Sequence, residues 1–114
     1  TFNNGTCQHY VNGRPDAMTT LGTAYADMSS TTGSDVLIGN SSGNSRNPFG
    51  LMQGVQIHNV VLTAEEILDA SSGKSITRGL VAKYNMDEGS GTTITDSSGN
   101  GYNGTLTGGA WVSI

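Results

Sequence analysis

The chain has 114 residues, 34% of them hydrophobic and 12% charged, with a formal net charge of −4 and a pI near 4.7. That length allows one small domain, and its five basic residues, Arg14, Arg46, Lys74, Arg78 and Lys83, form no run of the kind that releases counterions in a nucleic-acid groove. No apolar stretch reaches membrane-spanning length and there is no signal-peptide pattern, so neither nucleic-acid binding nor membrane insertion is expected.

Seventeen glycines and abundant Ser, Thr and Asn leave only 34% of residues with hydrophobic side chains, so the core is expected to be thin and to lean on a neighbour. Thr1 in place of an initiator Met leads us to expect a processed product or a fragment. Cys7 is the single cysteine, which rules out an intrachain disulfide; between alternating neighbours it reads as a small buried hydrophobe.

In chain order, Thr1-Phe2 ends a strand and Asn4-Gly5 closes a tight turn into a partner strand over Cys7 to Val11, because Asn-Gly tolerates positive φ at both turn positions. Asn12-Gly13 repeats that punctuation, and Arg14-Pro15-Asp16 begins a loop that continues, weakly patterned, to Ser34. Asp35 to Gly39 (DVLIG) reads as a compact apolar strand. Leu51 to Val60 reads as another, apolar on both faces and so expected beneath covering structure. Thr63-Ala64-Glu65-Glu66 is a capping box that starts a short helix over 63–70, with Leu62 before the cap and Ser71-Ser72-Gly73 as its stop. Glu65 and Glu66 suit the helix N-terminus and read as solvated, helix-forming residues.

The last third is the most informative. Leu80, Ala82, Tyr84 and Met86 alternate with Val81, Lys83 and Asn85, which is the period of a half-buried strand. Asp87 to Gly91 is a turn, Thr92 to Thr95 a short β-branched run, and Asp96 to Gly101 a longer turn before a strand over Tyr102 to Thr107. Short strands between Gly, Asn, Asp and Ser turns indicate an antiparallel, all-β fold.

Residues 7–13 (CQHYVNG), Asp35 to Gly39 and Phe49 to Ile67 (FGLMQGVQIHNVVLTAEEI) resemble the second half of a LamG-like, concanavalin A-like jelly-roll domain. Gly79 to Ala110 (GLVAKYNMDEGSGTTITDSSGNGYNGTLTGGA) resembles the opening of the same domain type. The resemblance implies an antiparallel β-sandwich, partial or permuted, with residues 1–78 as a closing half and 79–114 as opening strands. Such a chain is a circular permutant, a junction of tandem repeats, or a subunit that lends strands to a neighbour, and intermolecular completion by copies of itself or another subunit is expected. Gln53 stands where the family has Asp, His58 where it has Tyr, and Lys83 where an aromatic is common, so Gln53 cannot reproduce the carboxylate's charge.

The resemblance implies a non-catalytic structural or adhesion module on an extracellular or virion surface; the alternative is a carbohydrate-binding module of a secreted glycan-degrading enzyme. Catalysis is not expected: glycoside hydrolysis needs two facing carboxylates, and Asp87-Glu88 on a strand would point to opposite faces. Calcium is the one cofactor the residues suggest, at Asp87 and Asp96, with Asp35, Asn100 and Asn103 as further hard oxygens, although Asp96-Ser97-Ser98-Gly99 equally forms an Asx turn. Two isolated histidines, His9 and His58, read as hydrogen-bonded residues rather than ligands. For glycans, Tyr102 with Asn100 and Asn103 is the candidate platform, and Trp111 reads as a packing residue. Glycosylation sequons start at Asn4, Asn40 and Asn103.

Overall fold

A computed structural model describes residues 1–3, 6–17, 35–39 and 50–113. Among the described residues, eight short strands and one helix occur in the order β1 (Phe2–Asn3), β2 (Thr6–Cys7), β3 (His9–Val11), β4 (Arg14–Asp16), β5 (Val55–His58), α1 (Ala64–Ser71), β6 (Leu80–Tyr84), β7 (Thr93–Ile94) and β8 (Gly104–Thr105). They pair antiparallel as β1–β2, β3–β4, β5–β6 and β7–β8. The fold is therefore mostly antiparallel β with one short helix, as the turn-punctuated sequence implies.

The expected strand over Cys7 to Val11 is two pieces. Thr1 and Gln8 extend the β1–β2 ladder, exchanging bonds of 2.7 and 2.8 Å between main-chain nitrogens and carbonyls. The Gln8 side chain then donates to the carbonyls of His9 and Asp16, at 2.8 and 3.0 Å, and ties this hairpin to the next. Cys7 is exposed rather than buried, because nothing among the described residues covers that hairpin face.

Asn12-Gly13 does close a two-residue turn, with φ of 51° and 75° at its two positions, the geometry that matches strand twist. The chain leaves that turn as β4 rather than as a loop: Val11 faces Arg14, Tyr10 faces Pro15 and His9 faces Asp16. Pro15 lacks an N–H and is tolerated because β4 is the edge of a two-stranded ladder. Gly13 lies against α1; a Cβ there would sit 2.9 Å from Leu68 Cα and 2.5 Å from Ser71 Oγ.

Asp35–Gly39 is described without a strand, and Val36, Leu37 and Ile38 are all exposed. The apolar run meets no ladder partner among the described residues, and side-chain pattern alone does not hold a strand. Likewise the strand expected from Leu51 to Val60 is confined to β5, since Gly54 takes φ 67° and Leu51 and Met52 are exposed. At the other end, the strand expected over Tyr102 to Thr107 is reduced to β8.

The capping box is present as read. Glu66 N–H donates to Thr63 Oγ1 at 3.2 Å, and Thr63 N–H donates to Glu66 Oε2 at 2.7 Å. At the C-terminus, Gly73 with φ 90° donates to the Ala70 carbonyl and Lys74 N–H to the Asp69 carbonyl, the Schellman pattern.

The central ladder joins the two halves of the sequence. Val55 faces Tyr84, Gln56 faces Lys83, Ile57 faces Ala82, and a bulge then sets His58 opposite Leu80. Val55, Ile57, Ala82 and Tyr84 share one face, and Ala82, 3% exposed, is the one buried hydrophobic side chain among the described residues. Met86, at φ 58°, turns the chain out of the strand.

Candidate functional site: the Asp96–Asn103 loop on the edge of β6

Strand β6 has two edges, and β5 occupies one. The other is met by the Asp96–Asn103 loop, largely through side chains. Asp96 is 7% exposed, and its carboxylate accepts four protein donors. Oδ1 takes the Lys83 and Ser98 N–H groups, each at 2.9 Å. Oδ2 takes the Tyr102 N–H at 3.0 Å and faces the Ser98 hydroxyl at 2.9 Å. Ser97 N–H donates to the Lys83 carbonyl at 2.8 Å, and Asn100 Nδ2 to the Val81 carbonyl at 2.9 Å. The loop thus serves Lys83 and Val81 as a neighbouring strand would, satisfying main-chain groups that an open edge leaves bare.

These bonds explain the electrostatics. The Lys83 N–H, ahead of Ser98 and Tyr102, holds the Asp96 carboxyl well below the usual carboxylate range, against the opposing effect of desolvation. Glu88 is also lowered, chiefly by the Thr95 N–H that donates to its Oε1 at 2.7 Å. Glu66, bonded by Arg78 and by the Thr63 N–H, is lowered to about 2. Arg78 grips Glu66 with Nε to Oε1 at 2.7 Å and an Nη to Oε2 at 2.6 Å, and also donates to the Val61 carbonyl at 2.8 Å.

Of the residues singled out in the sequence, Asp96, Asn100, Tyr102 and Asn103 lie in this one loop, where the two asparagine side chains and the main chain of Tyr102 bond inward. Asn103 Oδ1 accepts the Asp96 N–H at 2.9 Å, and the Tyr102 carbonyl accepts the Tyr84 hydroxyl at 2.7 Å. The Tyr102 side chain is exposed, at 59% for the residue. Asp87 is exposed on the rim of a different hollow of about 460 Å³, lined by Gln53, Gln56, Ser75, Lys83 and Asn85. A calcium ion at Asp96 would have to displace donors already in place, and no group of three or more His, Cys, Asp or Glu side chains among the described residues is placed to share a metal ion. His58 Nδ1 lies 2.9 Å from the Arg78 carbonyl, while His9 is exposed. Trp111 Nε1 donates to the Gly91 carbonyl at 2.7 Å and fastens the last segment to that turn. Of the sequons, Asn103 is placed as above; Asn4 and Asn40 lie outside the described residues. No helix among the described residues is long and apolar enough to cross a membrane.

Sequence reading missed the Arg78–Glu66 grip and the convergence of Gln53 and Lys83, two departures from the LamG-like pattern, on one hollow. The only available signal for the first was an acidic capping residue with an arginine shortly after the helix.

A family model described as the concanavalin A-like lectin/glucanases superfamily matches residues 1–68. The chain belongs to this superfamily. Comparisons with curated proteins and with solved structures gave no match. The superfamily match ends within α1, so strand β6 beyond it is tied to the concanavalin A-like segment by its ladder with β5, which lies inside the match. The structure is a fragment of such a β-sandwich, with antiparallel ladders and one short helix.

Proposed function

We propose that the chain is a non-catalytic structural module that works by completing a β-sandwich with strands supplied from outside residues 1–114, by copies of itself or another subunit of one assembly on an extracellular or virion surface. One observation carries this reading: among the described residues, Ala82 is the sole buried hydrophobic side chain, while Val11, Leu37, Leu51, Val61, Leu68 and others of their size are exposed. Covering each such side chain contributes roughly 1.5–3 kcal/mol, a driving force for a second layer that the short ladders do not supply themselves.

Sedimentation velocity on the purified chain, from low micromolar upward, tests it. Association that grows with concentration and weakens in Leu51→Glu is expected. A monomer at every concentration that still unfolds cooperatively would overturn self-completion. A glycan array then separates the remaining readings, since saturable sugar binding lost in Tyr102→Ala would make the chain a carbohydrate-binding module.

A further inference from the structure

Three Asn-Gly pairs fall within the described residues, at 12–13, 100–101 and 103–104. Each is chemically able to form a cyclic imide, in which the glycine main-chain nitrogen attacks the asparagine Cγ. Their surroundings differ. Asn103 has its amide oxygen held by the Asp96 N–H, and Gly104 belongs to the β7–β8 ladder opposite Ile94. Because Leu106 N–H donates to the Thr92 carbonyl in that ladder, alternation turns the Gly104 N–H toward Ile94, so the nucleophile is occupied. Asn100 has its amide nitrogen bonded to the Val81 carbonyl at 2.9 Å and near the Leu80 carbonyl at 3.4 Å.

Asn12 is exposed, and its side chain makes no hydrogen bond among the described residues. Gly13 lies in the two-residue turn outside the ladder, and its N–H donates to no main-chain carbonyl among the described residues. The attack needs the turn to open, and the hairpin behind it has three residue pairs, which puts it at the low end of local stability.

We propose that Asn12 is a site of spontaneous deamidation. A base removes the Gly13 amide proton, and the nitrogen forms a bond to Asn12 Cγ. The C–N bond to the side-chain amide then breaks, and ammonia leaves with a proton from water. Water opens the succinimide at either carbonyl, giving aspartate or isoaspartate, so the net change is one amide and one water for one carboxylate and one ammonium. Isoaspartate adds a methylene to the main chain, which destroys the two-residue turn and lifts Gly13 from Leu68 and Ser71.

The test is peptide mapping by mass spectrometry of the full chain aged in mildly alkaline buffer, folded and in denaturant. In the folded chain Asn12 is expected to convert several-fold faster than Asn100 and Asn103, while in denaturant the three rates converge. Protection of Asn12 equal to that of Asn103 would overturn the proposal. So would persistence of the earliest deamidation product, with unchanged rate and peptide, in Asn12→Gln, whose imide ring closes far more slowly.

Discussion

Replacing Gly13 with alanine probes how the β3–β4 hairpin is held on the helix. Gly13 has φ 75°, a conformation that costs a residue with a Cβ about 1–2 kcal/mol. The added methyl would also sit 2.9 Å from Leu68 Cα, 2.9 Å from Leu68 Cδ1 and 2.5 Å from Ser71 Oγ. Ser71 and the Leu68 methyl can rotate away, but the Leu68 main chain is fixed by α1, so an overpacking cost of about 1–3 kcal/mol adds to the conformational one. The sum, about 2–5 kcal/mol, is a large share of the roughly 5–15 kcal/mol that holds a domain folded. Gly73→Ala is the matched control: φ is 90° and nothing lies within 4 Å of its Cβ, so only the about 1–2 kcal/mol backbone cost applies. Urea unfolding monitored by circular dichroism reads both, with unchanged slope as the check that only stability moved. Equal losses for the two variants would refute the packing of the hairpin on α1.

Thr63→Ala removes the cap of α1 and is expected to cost about 1 kcal/mol in the same assay, with Glu66→Gln less than additive on top of it because the two share the capping box. Glu66 is depressed from the usual 4.5 to about 2, so its contribution to stability is complete above about pH 4.5 and is lost as pH falls toward 2; the acid limb of the stability–pH profile should flatten in Glu66→Gln. Asp96→Asn keeps the shape of the loop's hub but turns one acceptor oxygen into a donor nitrogen facing N–H groups, and hydrogen exchange should then lose protection at Lys83 and Tyr102 while the α1 amides keep theirs.

What the sequence made legible was local chemistry. Thr63 and Glu66 lie three apart and announce the cap; Asn12-Gly13 announces its turn because few other residues take positive φ twice; Leu80 to Tyr84 alternates cleanly enough to place β6. The errors share a cause, since each depended on a partner distant in sequence. Arg14-Pro15-Asp16 has no strand propensity and is a strand because His9, Tyr10 and Val11 stand opposite it. Asp35 to Gly39 has that propensity and meets no such partner among the described residues. Cys7 reads as buried from its neighbours alone, whereas it is exposed because nothing among the described residues covers it. In the candidate loop, the Asx turn at Asp96 was readable from Asp96-Ser97-Ser98, but the bond to Lys83, 13 residues upstream, which makes the loop an edge for β6, was not.

The central claim is that the β5–β6 ladder closes within one chain while the remaining cover comes from outside it. An isotope-filtered NOE experiment on an equal mixture of labelled and unlabelled chains, unfolded and refolded together, tests it most directly. Cross-strand contacts of Val55 with Tyr84 and Ile57 with Ala82 are expected within the labelled chain and absent from the interchain spectrum, which should instead hold contacts from exposed side chains such as Leu51. Interchain Val55–Tyr84 and Ile57–Ala82 signals, at the strength expected for random mixing, would contradict it.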